Sequence, residues 1–144
     1  MIKVGVIGAG GRMGRMLIQA VAQNPETKLA AAIERKGSSL VGVDAGELVN
    51  IDKADVALVD DLSQVVNDID VLIDFSLPES TVNNIKLCAE HGVNMVIGTT
   101  GLNDEQNAVF QEATKKIAIV YAGNYSTGVN LSLKLIEMAA KAFG

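Results

Sequence analysis

The sequence predicts an α/β fold: a doubly wound, mostly parallel six-stranded sheet. Three observations carry this. Short apolar runs alternate with segments of helical period along the whole chain. A glycine cluster stands between the first run and the first helical segment. Small, hydroxyl and charged residues gather where the runs end.

Taken in order, Ile2–Ile7 reads as a buried strand. Met13, Met16, Leu17, Ala20 and Val21 then recur at i, i+3, i+4, i+7 and i+8, one face of a helix over Arg12–Gln23. Asn24-Pro25 ends it, because the residue before proline avoids helical backbone. Lys28–Ile33 is the second strand, Val56–Val59 a weak third and Val71–Phe75 a fourth. Between them Gly37–Lys53 reads as a long irregular stretch. Pro78 opens a helix to about Glu90, with Gly92 as its C-terminal cap. Asn94–Ile97 is the fifth strand, Asn103-Asp104-Glu105 caps a helix to about Lys116, and Ile117–Tyr121 is the sixth strand. A last helix covers about Gly128–Phe143. Six such strands match the order 3-2-1-4-5-6, with a ligand crevice at their carboxyl ends.

The last helix has two apolar stripes: Val129, Leu133, Ile136, Ala140 and Phe143, and Leu131, Leu135, Met138 and Ala142. A helix apolar on two sides expects partners on two sides. The sheet offers one, so the expectation is packing against a further domain or another subunit.

Composition excludes several classes. With 144 residues the chain has the length of one ordinary domain, which fits one half of a two-domain enzyme rather than the whole. Hydrophobic residues at 49% supply a core, and no apolar run approaches the 20 or so residues of a membrane span. No secretory signal pattern opens the chain. The net charge of -5, with no Trp, two Tyr and three Phe, argues against nucleic acid. One cysteine, Cys88, fits a reducing cytoplasm and reads as a core residue. One histidine, His91, reads as part of a helix end, and together they are too few for a Cys/His metal centre. No catalytic triad is spaced in the chain.

The glycine cluster runs Gly8-Ala9-Gly10-Gly11-Arg12-Met13-Gly14, with the spacing G-x-x-G-x-x-G at Gly8, Gly11 and Gly14. Such a loop between strand and helix serves a tight turn, close approach to a pyrophosphate and close helix–strand packing. Helix-end N–H groups and the helix dipole favour the phosphates, and the Arg12 guanidinium adds charge. Glu34 lies 20 residues beyond Gly14, where an acid accepts the adenosine ribose hydroxyls. Arg35 and Lys36 beside it suit the 2′-phosphate of NADP. The expectation is that NADH and NADPH both bind, within about tenfold, or ~1.4 kcal/mol. Strands four, five and six end in Asp74–Glu79, Gly98–Gly101 and Ala122–Ser126. Their small and hydroxyl residues suit a nicotinamide ring and its carboxamide.

Six motifs in order then resemble dihydrodipicolinate reductase, the 4-hydroxy-tetrahydrodipicolinate reductase family of lysine (diaminopimelate) biosynthesis. They are GAGGRMG at 8–14, ER at 34–35, GSSLVGVDAGEL at 37–48, DFSxPE at 74–79, VIGTTG at 96–101 and NYSTGVN at 124–130. The resemblance implies a Rossmann-type cofactor domain in which Gly8, Ala9, Gly10, Gly11, Arg12 and Met13 bind the pyrophosphate. It implies that Glu34 holds the ribose and Arg35 the 2′-phosphate. It places Gly98, Thr99, Thr100, Ala122, Gly123, Asn124 and Tyr125 along the nicotinamide, with Thr100 also near the substrate. The family transfers hydride from NAD(P)H to a cyclic imine-type substrate and usually forms tetramers. Its proton donors and carboxylate clamp lie in a second domain with a His-His…Lys motif, which is not found among these residues. Residues 1–126 therefore read as the dinucleotide domain and 127–144 as the first helix of a substrate and oligomerisation domain. The chain alone is expected to bind cofactor and turn over little, since one positioned general acid is worth about 10²–10⁴-fold.

Other readings are a stand-alone dinucleotide-sensing module, a different two-domain dehydrogenase, and a methyltransferase using S-adenosylmethionine. The second lacks a suitable catalytic Cys after the sheet, and Arg12 with Arg35 and Lys36 suits phosphates better than the third.

Overall fold

A computed structural model describes residues 1–144. Its elements run β1 (Ile2–Ile7), α1 (Arg12–Gln23), β2 (Thr27–Ile33), α2 (Ala45–Leu48), β3 (Leu58–Val59), β4 (Val71–Asp74), α3 (Pro78–His91), β5 (Asn94–Ile97), α4 (Asp104–Ala113), β6 (Ile119–Tyr121) and α5 (Thr127–Phe143). Two short 3₁₀ turns, Leu62–Gln64 and Val66–Asp68, lead into β4. The sheet order is β3-β2-β1-β4-β5-β6 and every adjacent pair is parallel. This is the expected order, with no antiparallel strand in the sheet.

Helices on both faces of the sheet set the layers. On one face α3 and α4 cover Leu72, Met95 and Ile97, with Ile85, Cys88 and Ile117 closing the core. On the other, α1 and α2 cover Val4, Val6, Leu29 and Leu58, with Ile18 and Val21 from α1. Burying a side chain such as Ile18 contributes about 1.5–3 kcal/mol. The second face is covered unevenly. Ile73, Val96 and Val120 stand side by side across β4, β5 and β6. Ile73 packs against the α1 core, whereas Val120 is 57% exposed.

Several boundaries differ from the sequence expectation. The third strand is only Leu58–Val59, because Ala57 turns away into an isolated antiparallel bridge with Asp44. The fourth stops at Asp74, whose carboxylate takes the N–H of Ser76 and begins a turn. The helix from Asp104 ends at Ala113, with Thr114 as its cap, and the sixth strand begins at Ile119. The stretch Gly37–Lys53 is irregular but holds α2, which Asp44 caps through the N–H groups of Gly46 and Glu47. The same carboxylate also accepts from Ala54 and Val56, so one side chain gathers four backbone donors. The N–H of Ala54 is the largest influence holding Asp44 below the ordinary carboxylate range.

Gly92 caps α3 in the left-handed region at φ 72, as expected. His91, the last helical residue, instead pairs its Nδ1 with Asn67 Oδ1 at 2.8 Å. Helix α5 was expected to pack on two sides. No residue of it is buried: Leu133 is 59% and Ile136 64% exposed. Ser126 caps its start and Lys134 and Lys141 flank Glu137 along it.

Candidate functional site

Strand β1 ends at Ile7, and Gly8 turns the chain with φ +70, a conformation that suits glycine. The N–H groups of Gly8 and Ala9 both donate to Ile33 O, at 2.8 and 3.1 Å, which ties the turn to β2. The N–H of Gly11 donates back to Gly8 O at 3.0 Å. A Cβ on Gly14 would stand 2.1 Å from Gly8 O, so only glycine lets α1 approach the strand this closely. Gly11 caps α1 with no side-chain bond, which leaves the N–H groups of Arg12, Met13 and Gly14 without protein partners. Three convergent donors at a helix N-terminus form an anion cradle. Arg12 is exposed beside them and makes no hydrogen bond or ion pair, whereas Arg15 braces the loop through Gly10 O and Leu48 O. Arg15 drew no notice in the sequence, where nothing marks it from other helical cations.

The loop opens onto a cleft of about 600 Å³ lined by Gly8, Gly11, Arg12, Met13, Glu34 and Phe75. A second cleft of about 520 Å³ shares Gly8 and Glu34 and passes over Arg35, Lys36, Asp60 and Ser80. Glu34 separates the two. Its Oε2 accepts from Gly10 N at 2.7 Å and its Oε1 from Arg35 N at 3.1 Å. Each oxygen keeps a lone pair for a further donor. A Cβ on Gly10 would strike Leu40 at 2.4 Å and Glu34 at 2.8 Å. Arg35 and Lys36 are exposed on the rim of the second cleft. Asp61 lies there too; the Ser63 hydroxyl and N–H, and then the Lys36 charge, hold it below its ordinary value.

The ends of β4, β5 and β6 meet beyond the first cleft. Gly98 packs under Phe75, whose ring atoms would be 2.1 Å from a Cβ at that position. Phe75 also meets the Tyr125 ring at 5.5 Å between centroids. Thr100 and Gly123 are exposed at these strand ends and Ala122 is half-buried. Three of the expected lining residues have side chains engaged elsewhere. The Thr99 side chain is buried and accepts from Ser76 N and Thr81 Oγ1, leaving its backbone for a ligand. The Tyr125 hydroxyl lies 2.8 Å from Ile97 O and bonds the sheet; burial pushes this phenol up. Asn124 spends its Oδ1 on Ser126 N, within the turn that starts α5. Phe75 is the lining residue the sequence reading left out, although strand alternation opposes it to Asp74 and so points it away from the buried face.

Sheet order, glycine turn, helix-end cradle and an acid at the end of β2 together define the chain as a Rossmann-type dinucleotide-binding domain. The family model "Dihydrodipicolinate reductase, N-terminus" matches residues 2–125, and the chain belongs to that family. It is 68% identical over 144 residues to the 4-hydroxy-tetrahydrodipicolinate reductase of Psychrobacter arcticus, covering 100% of this chain and 52% of that one. It is 56% identical over 142 residues to the reductase of the same name from Acinetobacter baumannii strain ATCC 17978, covering 99% and 52%. A solved structure of dipicolinate-bound dihydrodipicolinate reductase from Paenisporosarcina sp. TG-14 superposes with TM-score 0.73 at 28% identity, over 97% of this chain and 54% of the other. The chain thus spans about half the length of the curated relatives it matches.

Proposed function

We propose that this chain is the cofactor-binding part of a reductase that transfers hydride from NADH or NADPH to 4-hydroxy-tetrahydrodipicolinate, in lysine (diaminopimelate) biosynthesis. The observation that carries the cofactor reading is the cradle of Arg12, Met13 and Gly14 N–H groups, with Glu34 bonded to Gly10 N beside it. The substrate comes from the names of the relatives.

The residues fit a dinucleotide. The Gly14 approach to Gly8 O leaves room for a pyrophosphate where a Cβ would push the helix away. The cradle and Arg12 bind the phosphate charge. Glu34 accepts the adenosine ribose hydroxyls on its remaining lone pairs, and Arg35 attracts a 2′-phosphate. Phe75, Gly98, Thr100, Ala122 and Gly123 form the wall for the flat ring, with Thr100 toward the substrate. Bound there, a reduced nicotinamide supplies the hydride. The wall residues would hold that ring in place beside the substrate.

We assign residues 1–126 to this domain and 127–144 to the first helix of a substrate and oligomerisation domain. Two facts support the boundary. Both apolar stripes of α5 stand in solvent, and the relatives are about twice as long. The row ending at Val120 is a second uncovered apolar site, which a returning segment of a longer chain would cover. The complete protein is then a homotetramer of the reducing cytoplasm, with no nucleic-acid or membrane partner. No helix here is long and apolar enough to cross a membrane.

Fluorescence titration of the 144-residue chain with NADH and NADPH tests the cofactor reading. Both should bind, with affinities within about tenfold; a hundredfold preference overturns the dual use. A steady-state assay with chemically generated substrate should show turnover about 10²-fold or more below that of a full-length relative. Full turnover would overturn the assignment of the proton donor to another domain.

A further inference from the structure

We infer that Asp74 is a positioning residue for the nicotinamide half of the site, acting through Ser76 and Thr99 on the Phe75–Gly98 wall. The inference rests on the dinucleotide reading above. It starts from a carboxylate that the reaction does not use. Asp74 ends β4 with 0% exposure and no ion-pair partner. A carboxylate buried without a cation is costly unless hydrogen bonds satisfy it. Here three donors do. Oδ1 accepts from Ser76 N at 2.9 Å and from the Ser76 hydroxyl at 2.6 Å, and Oδ2 accepts from the Asn84 amide at 2.8 Å.

These bonds reach beyond the turn. The Ser76 N–H is shared with Thr99 Oγ1 at 3.1 Å, and Thr81 Oγ1 donates to the same Thr99 oxygen at 2.8 Å. The end of β4, the start of α3 and the end of β5 are therefore one polar cluster. Phe75 lies between Asp74 and Ser76, and its ring is set on Gly98 and against Tyr125. The Tyr125 hydroxyl closes the circuit on Ile97 O, one residue before Gly98. A shift of the Asp74–Ser76 turn moves the Phe75 ring, and with it the wall for the flat ring. The glycine loop and Glu34 are held separately, by Ile33 O and Arg35 N. Ser76 and Asn84 also line the second cleft, but neither bonds the glycine loop or Glu34. Asp74 therefore bears chiefly, through Phe75, on the nicotinamide end of the dinucleotide, and preorganisation of that end is what it supplies.

The test compares two probes on the 144-residue chain: NADH, and ADP-ribose, which lacks the nicotinamide. Asp74→Asn places an amide against the Ser76 and Asn84 donors. It should raise the Kd for NADH about tenfold or more and leave that for ADP-ribose within about twofold. Thr99→Val should act in the same direction and Thr99→Ser should restore NADH binding, because Ser keeps the hydroxyl. If Asp74→Asn does not fold, Ser76→Ala, which keeps the backbone N–H, and Thr99→Val carry the same expectation. Equal weakening of both probes overturns the proposal in favour of a purely structural Asp74, and unchanged NADH binding overturns it outright. A native chain that binds neither probe overturns the dinucleotide reading, and this proposal with it.

Discussion

The backbone N–H of Gly10 donates to the Glu34 carboxylate at 2.7 Å, joining the loop after β1 to the end of β2. The acid is thus part of the loop's own structure as well as a ligand for sugar hydroxyls. Because the second oxygen is held by Arg35 N, the carboxylate stands at a fixed place between the two clefts. Glu34→Ala should lower NADH affinity by about tenfold, since a hydrogen bond to a charged group is worth about 1.5–3 kcal/mol. NADPH affinity should fall less or rise, because a negative charge near the 2′-phosphate is gone. Paired titrations read the ratio, and an equal change for both cofactors would contradict this role.

Arg12 separates binding from stability. It is exposed and unpaired, so Arg12→Ala should leave the melting temperature nearly unchanged, within the ±0.5 kcal/mol usual for surface sites. NADH affinity at low salt should drop about fivefold to tenfold, and added salt should weaken the variant's binding less than the native chain's. Calorimetry at two ionic strengths checks both parts.

Two glycines should respond in opposite ways. Gly14→Ala forces a Cβ to 2.1 Å from Gly8 O, and overpacking of this kind costs about 1–3 kcal/mol. The better helix propensity of alanine returns at most about 1 kcal/mol. Thermal unfolding several degrees lower, with lost NADH binding, is the expected result. At Gly123 the nearest atom to an added Cβ is 3.9 Å away, so Gly123→Ala should keep native stability.

Cys88 gives a pH signature. Burial, and then the nearby Asp74 charge, pushes its thiol up to about 12 from an ordinary value near 9. A raised folded pKa means the associated stability is whole below the unfolded value and is lost as pH rises between about 9 and about 12. Denaturant melts should show a falling midpoint across that window, and Cys88→Ala, despite its small cavity, should flatten the fall. Maleimide at pH 8 should label the thiol only in denaturant; rapid labelling of the native chain would contradict its burial.

The strands and long helices were legible because their signals are local: β-branched runs, Pro78 at a first turn, Asn103-Asp104-Glu105 at a helix start. The sheet order followed from six strands alternating with helices, the pattern of a doubly wound sheet. Helix α2 was not, since four residues show no periodicity; the pattern Asp44-Ala-Gly-Glu47 was its one signal, an N-cap with an acid at the third helical position. The phosphate cradle was legible from the glycine spacing together with the strand before it and the helix after it. The strand-end wall was legible only as composition, because which of Thr99 and Thr100 points inward depends on the turn after β5. Asp74 could have been found, since it shares the buried face with Leu72 two residues earlier. Its partners could not, since Asn84 and Thr99 reach it from elsewhere in the fold.

Helix α5 has no buried residue, whereas the sheet lies between two buried cores, so the two differ in what keeps them ordered. The sheet and its covering helices form one cooperative unit. A helix of 17 residues without tertiary support sits near the length at which helices are marginal in water. Its amides should exchange with solvent orders of magnitude faster than those of β1 or β4, and its melting should be gradual while the sheet's is sharp. In this chain α5 is a separate thermodynamic element, joined to the sheet by Asn124–Ser126 and answering to its own equilibrium.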